Sequence, residues 1–231
     1  ISEHTKEFIR KYFPEISFQE WNNWHWQIRN SFTSFKSLNT FLNLSADEKL
    51  VSEKVTNLPV RITPYYASLL SQSDALQPLR RTMVPVLDEL KVSKGEASDP
   101  LGEHTHNKVN CIVHRYPDRV LFLVTEFCSA YCRYCTRTHM VAKSEKNHTR
   151  RAEWDKAIDY IAEHTEVRDV LLSGGDPLTL ADSQIEYLLT RLRAIPHVEI
   201  IRIGSKVPVV LPQRITPALV KILKKFHPLF I

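Results

Sequence analysis

The chain has 231 residues, with 31 Lys and Arg against 26 Asp and Glu and a formal net charge of +5. Its 43% apolar and 25% charged residues are ordinary globular usage, which excludes disordered, collagen-like and fibrous classes. The longest strongly apolar run, 120–124, is too short to span a bilayer. The first residues do not follow the basic-then-apolar pattern of a leader, so we do not expect secretion. The basic residues form no stripe, so we expect neither a membrane nor a nucleic acid among the partners.

The first hundred residues indicate helices separated by short breaks. Ser45 and Glu48 have the spacing of a capping box, and Thr63-Pro64 is typical of an N-cap followed by proline. One buried helix face is predicted from residues that recur every three or four positions: Trp21, Trp24, Ile28, Phe32 and Phe35. We predict an N-terminal helical region over residues 1–108.

From residue 109 onward the pattern changes to alternating strands and helices. The pattern predicts strands at 119–125, 169–173, 198–203 and from 229, with helices at 152–164, 182–194 and 216–226. Such an alternation is typical of parallel strands with right-handed crossovers. Ligands of these folds collect at the carboxyl ends of the strands, here just after Thr125, Ser173 and Ile203.

Three of the four cysteines, Cys128, Cys132 and Cys135, follow the first predicted strand within eight residues. A disulfide framework would spread its cysteines, so this clustering favours a metal or cluster site in a reducing compartment. A cubane iron–sulfur cluster needs four ligands, and three thiolates leave one iron open to a substrate or cofactor.

The next two strands are also followed by residues suited to ligand binding. The chain has only five glycines, against roughly 16 at average usage, and two of them stand in Gly174-Gly175-Asp176. Adjacent glycines let backbone approach a ligand, and the carboxylate can accept from an ammonium group. Gly204-Ser205 offers a hydroxyl to a sugar.

Other interpretations of these motifs stay open. The cysteines with His139 could form a Cys₃His zinc site, although structural zinc sites usually draw on two separated knuckles. Cys111 could close an electron-transfer cluster. Taken alone, the Gly-Gly-Asp sequence is also typical of a tight turn.

The Cys-x3-Cys-x2-Cys spacing, with Tyr134 before the last cysteine, resembles the radical S-adenosylmethionine (SAM) superfamily, and the Gly-Gly-Asp sequence adds to the resemblance. It implies that the three cysteines hold a 4Fe-4S cluster whose fourth iron is chelated by SAM. It also implies SAM contacts for Tyr134, Gly174, Gly175, Asp176 and Ser205.

Longer strings resemble the lysine 2,3-aminomutase family in particular. They cover 21–30, 114–137, 172–178 and 202–214. This resemblance implies that Arg137 binds the substrate α-carboxylate and that Arg115 and Arg119 lie near pyridoxal phosphate (PLP). No lysine present, Lys206 included, matches the family's Schiff-base lysine. That lysine and the acidic residues that recognise the far end of the substrate are expected beyond Ile231.

The resemblance implies an α/β fold: an N-terminal helical region followed by the first half of a partial (β/α)6 radical SAM barrel, 109–231. It implies an isomerase of lysine metabolism that converts L-lysine to β-lysine through a 5′-deoxyadenosyl radical and 1,2-amino migration. One alternative is a related aminomutase that acts on glutamate, on arginine, or on a lysine of a translation factor. The alternative of another class is a non-catalytic module that binds zinc or an iron–sulfur cluster.

The expected cofactors are a 4Fe-4S cluster, SAM and pyridoxal 5′-phosphate. The expected partners are a small amino acid, an electron donor such as flavodoxin or ferredoxin, and further copies of the chain in a homo-oligomer. We expect a cytoplasmic location, because a cluster and a radical need low oxygen. The chain reads as a fragment that on its own is inactive and prone to aggregate.

Overall fold

The structure is a computed structural model that describes residues 1–54, 58–91, 93–97, 99–141 and 151–231, and the side chains of all of these except Lys54 and His139. The helices within these ranges are α1 Glu3–Tyr12, α2 Phe18–Trp21, α3 Trp24–Arg29, α4 Phe35–Leu38, α5 Ala46–Lys54, α6 Pro64–Ala67, α7 Pro78–Arg81, α8 Thr138–Val141, α9 Arg151–Glu163, α10 Asp182–Arg193, α11 Val207–Val210 and α12 Pro217–Lys224. None of the helices described here is both long and apolar enough to cross a membrane.

The chain divides into two compact units. Unit 1 comprises 1–96, 129–135 and 209–213, and unit 2 comprises 97–128, 136–208 and 214–231. The cysteine loop is thus shared between them, since its first cysteine falls in unit 2 and the other two in unit 1. The domain boundary expected at 108 stays a prediction.

The N-terminal part of unit 1 consists of short helices separated by breaks, as predicted. Residues 21–35 do not form one helix face, so that part of the prediction is wrong. Side-chain caps interrupt the chain: Ser17 and Glu20 form a capping box at α2, and the Asn23 side chain caps α3. Phe32 lies outside any helix and pairs with Ile62 in an isolated antiparallel bridge. The aromatic spacing therefore reflects several short segments that pack around one core.

A fully buried ion pair stabilises unit 1. The predicted capping box is present, because Ser45 N donates to Glu48 at 2.8 Å and Glu48 N donates to the Ser45 hydroxyl at 3.2 Å. The Glu48 carboxylate also accepts from Nε and Nη2 of Arg80 at 2.9 and 2.6 Å. The remaining Arg80 donors reach backbone carbonyls, so the buried guanidinium is fully paired.

Unit 2 contains a six-stranded sheet in the order β1-β2-β3-β4-β5-β6. Its strands are β1 Asn107–Val109, β2 Ile112–Tyr116, β3 Arg119–Thr125, β4 Asp169–Gly174, β5 Ile200–Ile203 and β6 Leu229–Phe230. The last four are parallel, as predicted, and the α/β fold class with part of a radical SAM barrel is confirmed. The antiparallel β1 and β2 extend the sheet beyond the prediction.

The two faces of the sheet differ in how deeply their side chains are buried. Val120, Phe122 and Val124 of β3 are buried, and Trp154 of α9 donates its indole N–H to the Val124 carbonyl at 3.1 Å. Alternate residues such as Leu121 are only half-buried, on the opposite face. β3, β4 and β5 end at the same edge, so the loops that follow them begin side by side within unit 2.

Candidate active site

The three clustered cysteines lie on the loop that follows β3. All are half-buried, and none of the four cysteines in the chain forms a disulfide. Cys135 N donates to the Cys132 carbonyl at 3.2 Å, which tightens the end of the loop. In the part of the chain that the structure describes, no three His, Cys, Asp or Glu side chains are grouped as a metal site. Ligation by the three cysteines therefore stays a prediction.

His139 and Cys111 are the two residues that the alternative interpretations assign as a fourth ligand. The side chain of His139 lies outside the described residues. Cys111 is buried in unit 2 with a positive φ of 74°, and its thiol lies 3.6 Å from the Glu153 carboxylate. This contact gives Cys111 a local structural role.

Within unit 1, the middle of the cysteine loop is anchored by Arg133, which sequence reasoning missed. Its Nε and Nη2 donate to the Glu89 carboxylate at 3.0 and 2.5 Å, and its Nη1 donates to the Pro59 carbonyl at 2.9 Å. Its backbone N–H donates to the Thr82 carbonyl at 2.9 Å. The residue between two predicted ligands is thus held by side-chain and backbone bonds.

In unit 2, the start of the same loop is bonded to the glycine pair after β4. Gly175 N donates to the Thr125 carbonyl at 2.6 Å, and Asp176 N donates to the Phe127 carbonyl at 2.8 Å. A Cβ on Gly175 would lie within 2.7 Å of three backbone atoms of Phe127. Gly174 has a φ of +117° and would place a Cβ against the Thr125 backbone. Both glycines therefore serve backbone-to-backbone packing.

The Asp176 carboxylate connects two of the strand ends. It accepts from the Ser205 hydroxyl at 2.7 Å, from the backbone N–H groups of Lys206 and Val207 at 2.7 and 3.1 Å, and from Leu178 N at 3.1 Å. The residue is only 5% exposed, and burial raises the pKa of the carboxyl although these hydrogen bonds oppose the rise. Asp176 and Ser205, both predicted SAM contacts, are thus bonded to each other.

Tyr134, the predicted adenine neighbour, belongs to unit 1 and presents its side chain to solvent with 64% of the residue exposed. Large aromatic residues with this exposure suit stacking on a planar ligand. The SAM contacts of Tyr134, the glycine pair, Asp176 and Ser205 stay predictions.

A cavity of about 260 Å³ lies on the half-covered face of the sheet in unit 2. Arg115 and Arg119, the two predicted PLP residues, line it together, and so do Arg202 and Glu103, which the sequence did not single out. Arg115 donates to the Leu101 carbonyl at 3.2 Å. Arg119 and Arg202 also form ion pairs with Asp118 and Asp169. The guanidinium donors that these pairs leave, together with those of Arg115, suit an anionic group such as a phosphate.

Arg137 makes a bidentate ion pair with Glu103. Its Nε lies 3.0 and 2.8 Å from the two carboxylate oxygens, and its Nη2 lies 2.5 Å from Oε1. The two side chains are only 19% and 13% exposed. The predicted carboxylate-binding arginine is therefore joined, through Glu103, to the rim of the arginine-lined cavity.

The donor sets fit the implied cofactors at the level of chemistry. Half-buried thiols on one loop are the ligand type of iron–sulfur clusters, and the arginine-lined cavity contains guanidinium groups of the kind that bind phosphate.

Comparisons with known proteins agree with this geometry. Residues 122–230, which include the cysteine loop and β4 to β6, match the family model "Radical SAM superfamily". The chain is 47% identical to an L-lysine 2,3-aminomutase of Clostridium subterminale over 220 residues, 95% of this chain and 53% of the relative. It is 46% identical to an L-lysine 2,3-aminomutase of Fusobacterium nucleatum over 229 residues, 99% of this chain and 54% of the relative. A glutamate 2,3-aminomutase of Clostridioides difficile is 40% identical over 214 residues, 92% of this chain and 50% of the relative.

The strand-end loops and the family match together assign residues 122–230 to the radical SAM superfamily. Within that superfamily, L-lysine 2,3-aminomutases are relatives that the chain resembles over nearly its whole length. The chain spans about half the length of the curated relatives it matches.

Proposed function

We propose that the protein is a radical SAM, PLP-dependent isomerase that moves the amino group of a free amino acid from C2 to C3, with L-lysine as its substrate. The observation that carries the proposal is the similarity to two L-lysine 2,3-aminomutases at 46–47% identity over nearly the whole chain. When bound, the cluster with SAM supplies a hydrogen-abstracting radical, and PLP holds the migrating amino group.

The roles of the protein's own residues follow from their chemistry and position. Cys128, Cys132 and Cys135 would hold the cluster, and Arg133 with Glu89 keeps the loop between the last two in place. Arg115 and Arg119 would receive the PLP phosphate in the cavity they line. Arg137 would receive the substrate α-carboxylate, since its guanidinium can bind a carboxylate with two parallel hydrogen bonds.

Glutamate is the second candidate substrate, because a glutamate 2,3-aminomutase is 40% identical to this chain. The two lysine relatives described above are more similar over more of the chain, which favours lysine. A non-catalytic zinc or iron–sulfur module is the remaining alternative, and metal identity distinguishes it from the enzyme.

The test has two steps. First, iron, sulfide and zinc are measured in protein purified and reconstituted without oxygen, and EPR spectra of the reduced protein are compared before and after SAM is added. We expect about four irons per chain and a spectrum that SAM changes. Second, lysine, glutamate and arginine are supplied with SAM, PLP and a reductant, and β-amino acids are quantified. Stoichiometric zinc, or a cluster whose EPR spectrum does not change when SAM is added, would contradict the proposal.

A further inference from the structure

We propose that Glu103 is the positioning residue for Arg137 and that it determines how strongly the enzyme binds the α-carboxylate of its amino acid substrate. This inference rests on the proposed function, in which Arg137 meets that carboxylate. Glu103 belongs to none of the sequence motifs described above, and its hydrogen bonds to Arg137 are seen only in the structure.

The hydrogen bonds of Arg137 use one edge of its guanidinium. Glu103 spans Nε and Nη2, while Nη1 donates to no acceptor within the described ranges. A guanidinium offers five N–H donors in a fixed plane, so a partner on the Nε edge fixes the direction of the opposite edge. The edge formed by Nη1 and Nη2 thus keeps donors available for a second carboxylate, which is the one we assign to the substrate.

Glu103 is itself held in place by a short strap, residues 99–106. It begins a 3₁₀ turn, Glu103–His106, and the backbone N–H groups of Glu103 and His104 donate to the two carboxylate oxygens of Asp99 at 3.0 and 2.9 Å. Gly102 enters this turn with a φ of +63°, a left-handed conformation suited to glycine. Because Asp99 holds the backbone of Glu103 and of the next residue, the Glu103 side chain begins from a fixed position when it reaches Arg137.

The same strap also contacts the arginine-lined cavity. The Leu101 carbonyl accepts from Arg115, and Glu103 lines the cavity beside Arg119. One short segment therefore orients both the guanidinium proposed for the substrate carboxylate and one proposed for the cofactor phosphate. That arrangement is what a site needs in order to place the substrate carboxylate at a set distance from the cofactor.

The low exposure of the pair separates it from surface ion pairs in the same unit. Arg168 and Glu199 make a similar contact at 2.6 Å, but their side chains are 50% and 59% exposed. Solvent screens such a pair, whereas the Arg137 and Glu103 pair is mostly shielded. Glu199 therefore provides a matched control for the loss of a glutamate that pairs with an arginine.

The experiment measures equilibrium binding by calorimetry to the holoenzyme and to its E103A, E103Q and E199Q variants. Two probes are compared: L-lysine, and 1,5-diaminopentane, which is lysine without its α-carboxylate. We expect E103A to weaken lysine binding about tenfold, the usual size of a lost charged hydrogen bond, and to leave diaminopentane binding within about twofold. E103Q keeps one acceptor for Arg137 and should fall between E103A and wild type, while E199Q should match wild type.

Turnover provides a second measurement. E103A should raise KM for the amino acid about tenfold and change kcat less. If wild type acts on glutamate, the probe pair becomes glutamate and 4-aminobutyrate, and the same ratios apply.

Two outcomes would overturn the inference while the proposed function stands. Equal weakening of both probes in E103A would mean that Glu103 only supports the fold. Tighter lysine binding in E103A would mean that Glu103 competes with the substrate for Arg137 instead of orienting it. If the wild-type holoenzyme binds and converts no amino acid, both the inference and the proposed function fail, and the wild-type measurement alone reveals it.

Discussion

At Gly174 and Gly175 the backbone that follows β4 comes so close to the cysteine loop that no side chain fits between them. The sequence predicted that the backbone there approaches a ligand, and that approach to a ligand stays a prediction. The partner in the structure is the protein's own backbone at Thr125 and Phe127, which a sequence pattern alone does not reveal.

This packing predicts that Gly175→Ala displaces the start of the cysteine loop. The added Cβ would meet backbone atoms of Phe127, which cannot move aside as a flexible side chain would. We expect the free energy of unfolding to fall by about 1–3 kcal/mol and the reconstituted iron content to fall with it. Urea unfolding and iron analysis check this. Gly204→Ala is the control, since its Cβ would meet only ordinary contacts at 3.6 Å and beyond, and equal losses in both variants would contradict the argument.

Asp176 gives a prediction about pH. Burial raises its folded-state pKa above the ordinary 3.8, so the native state binds its proton more tightly than the unfolded state does. Its contribution to stability is therefore fully present below 3.8 and is lost as the pH rises through the raised pKa. Asp176→Asn lacks this titration. We expect the stability difference, wild type minus variant, to be largest at acid pH and to decline as pH rises, as measured by urea unfolding across a pH series.

Asp176→Asn should also be less stable than wild type above the titration range. Its amide would place a donor against backbone N–H groups that now donate to the carboxylate, at a cost of about 1–3 kcal/mol. A stability difference between the two proteins that does not vary with pH would refute the assignment of the titration to Asp176.

Single residues were predictable where a short motif carries the chemistry. Cys128, Cys132 and Cys135 stand out by spacing alone. Glu89 and Glu103 do not, because their arginine partners lie 44 and 34 residues away in the chain and no local pattern marks a pair at such separations. Folding brings these residues together, and only the structure identifies them.

At the scale of elements, the cysteine loop depends on the anchor between Arg133 and Glu89 in unit 1. Glu89→Ala should leave a poorly exposed guanidinium without its carboxylate and lower the free energy of unfolding by roughly 2–4 kcal/mol. We also expect a lower iron content after reconstitution. The exposed pair of Glu3 and Lys6 is the control, and Glu3→Ala should change neither measurement. Full iron content in Glu89→Ala would argue against the anchor.

The parallel strands were predictable because β3 is a nearly continuous apolar run and because β4, β5 and β6 begin at regular intervals along the chain. The β1–β2 hairpin was not, since its short strands mix charged and apolar residues and its turn depends on the left-handed Cys111. The single helix face over residues 21–35 was predicted wrongly, because caps such as Asn23 act over three residues and the periodicity over fifteen residues does not show them.

At the scale of the whole molecule, β6 stands at the end of the sheet order and pairs with β5 on one side. Phe230 on this strand is 56% exposed. A polypeptide of residues 1–231 should therefore associate through this edge, because an exposed apolar strand is a template for further pairing. Phe230→Lys should reduce the association, and Leu76→Lys, which removes another large exposed apolar group away from the sheet edge, should not. Light scattering over a concentration series measures both, and a monomeric wild-type polypeptide would contradict the prediction.

The hydrogen bonds of Gly175 and Asp176 have a practical consequence for protein engineering. They connect the ends of β3, β4 and β5 by hydrogen bonds. The carbonyls of Thr125 and Phe127 accept from backbone N–H groups of the loop after β4, and the Ser205 hydroxyl donates to the Asp176 carboxylate in that loop. A cysteine loop transplanted from another radical SAM enzyme would therefore arrive without the carbonyl positions that its new neighbours need. Chimeras that exchange all three loops together should assemble where exchanges of one loop at a time do not.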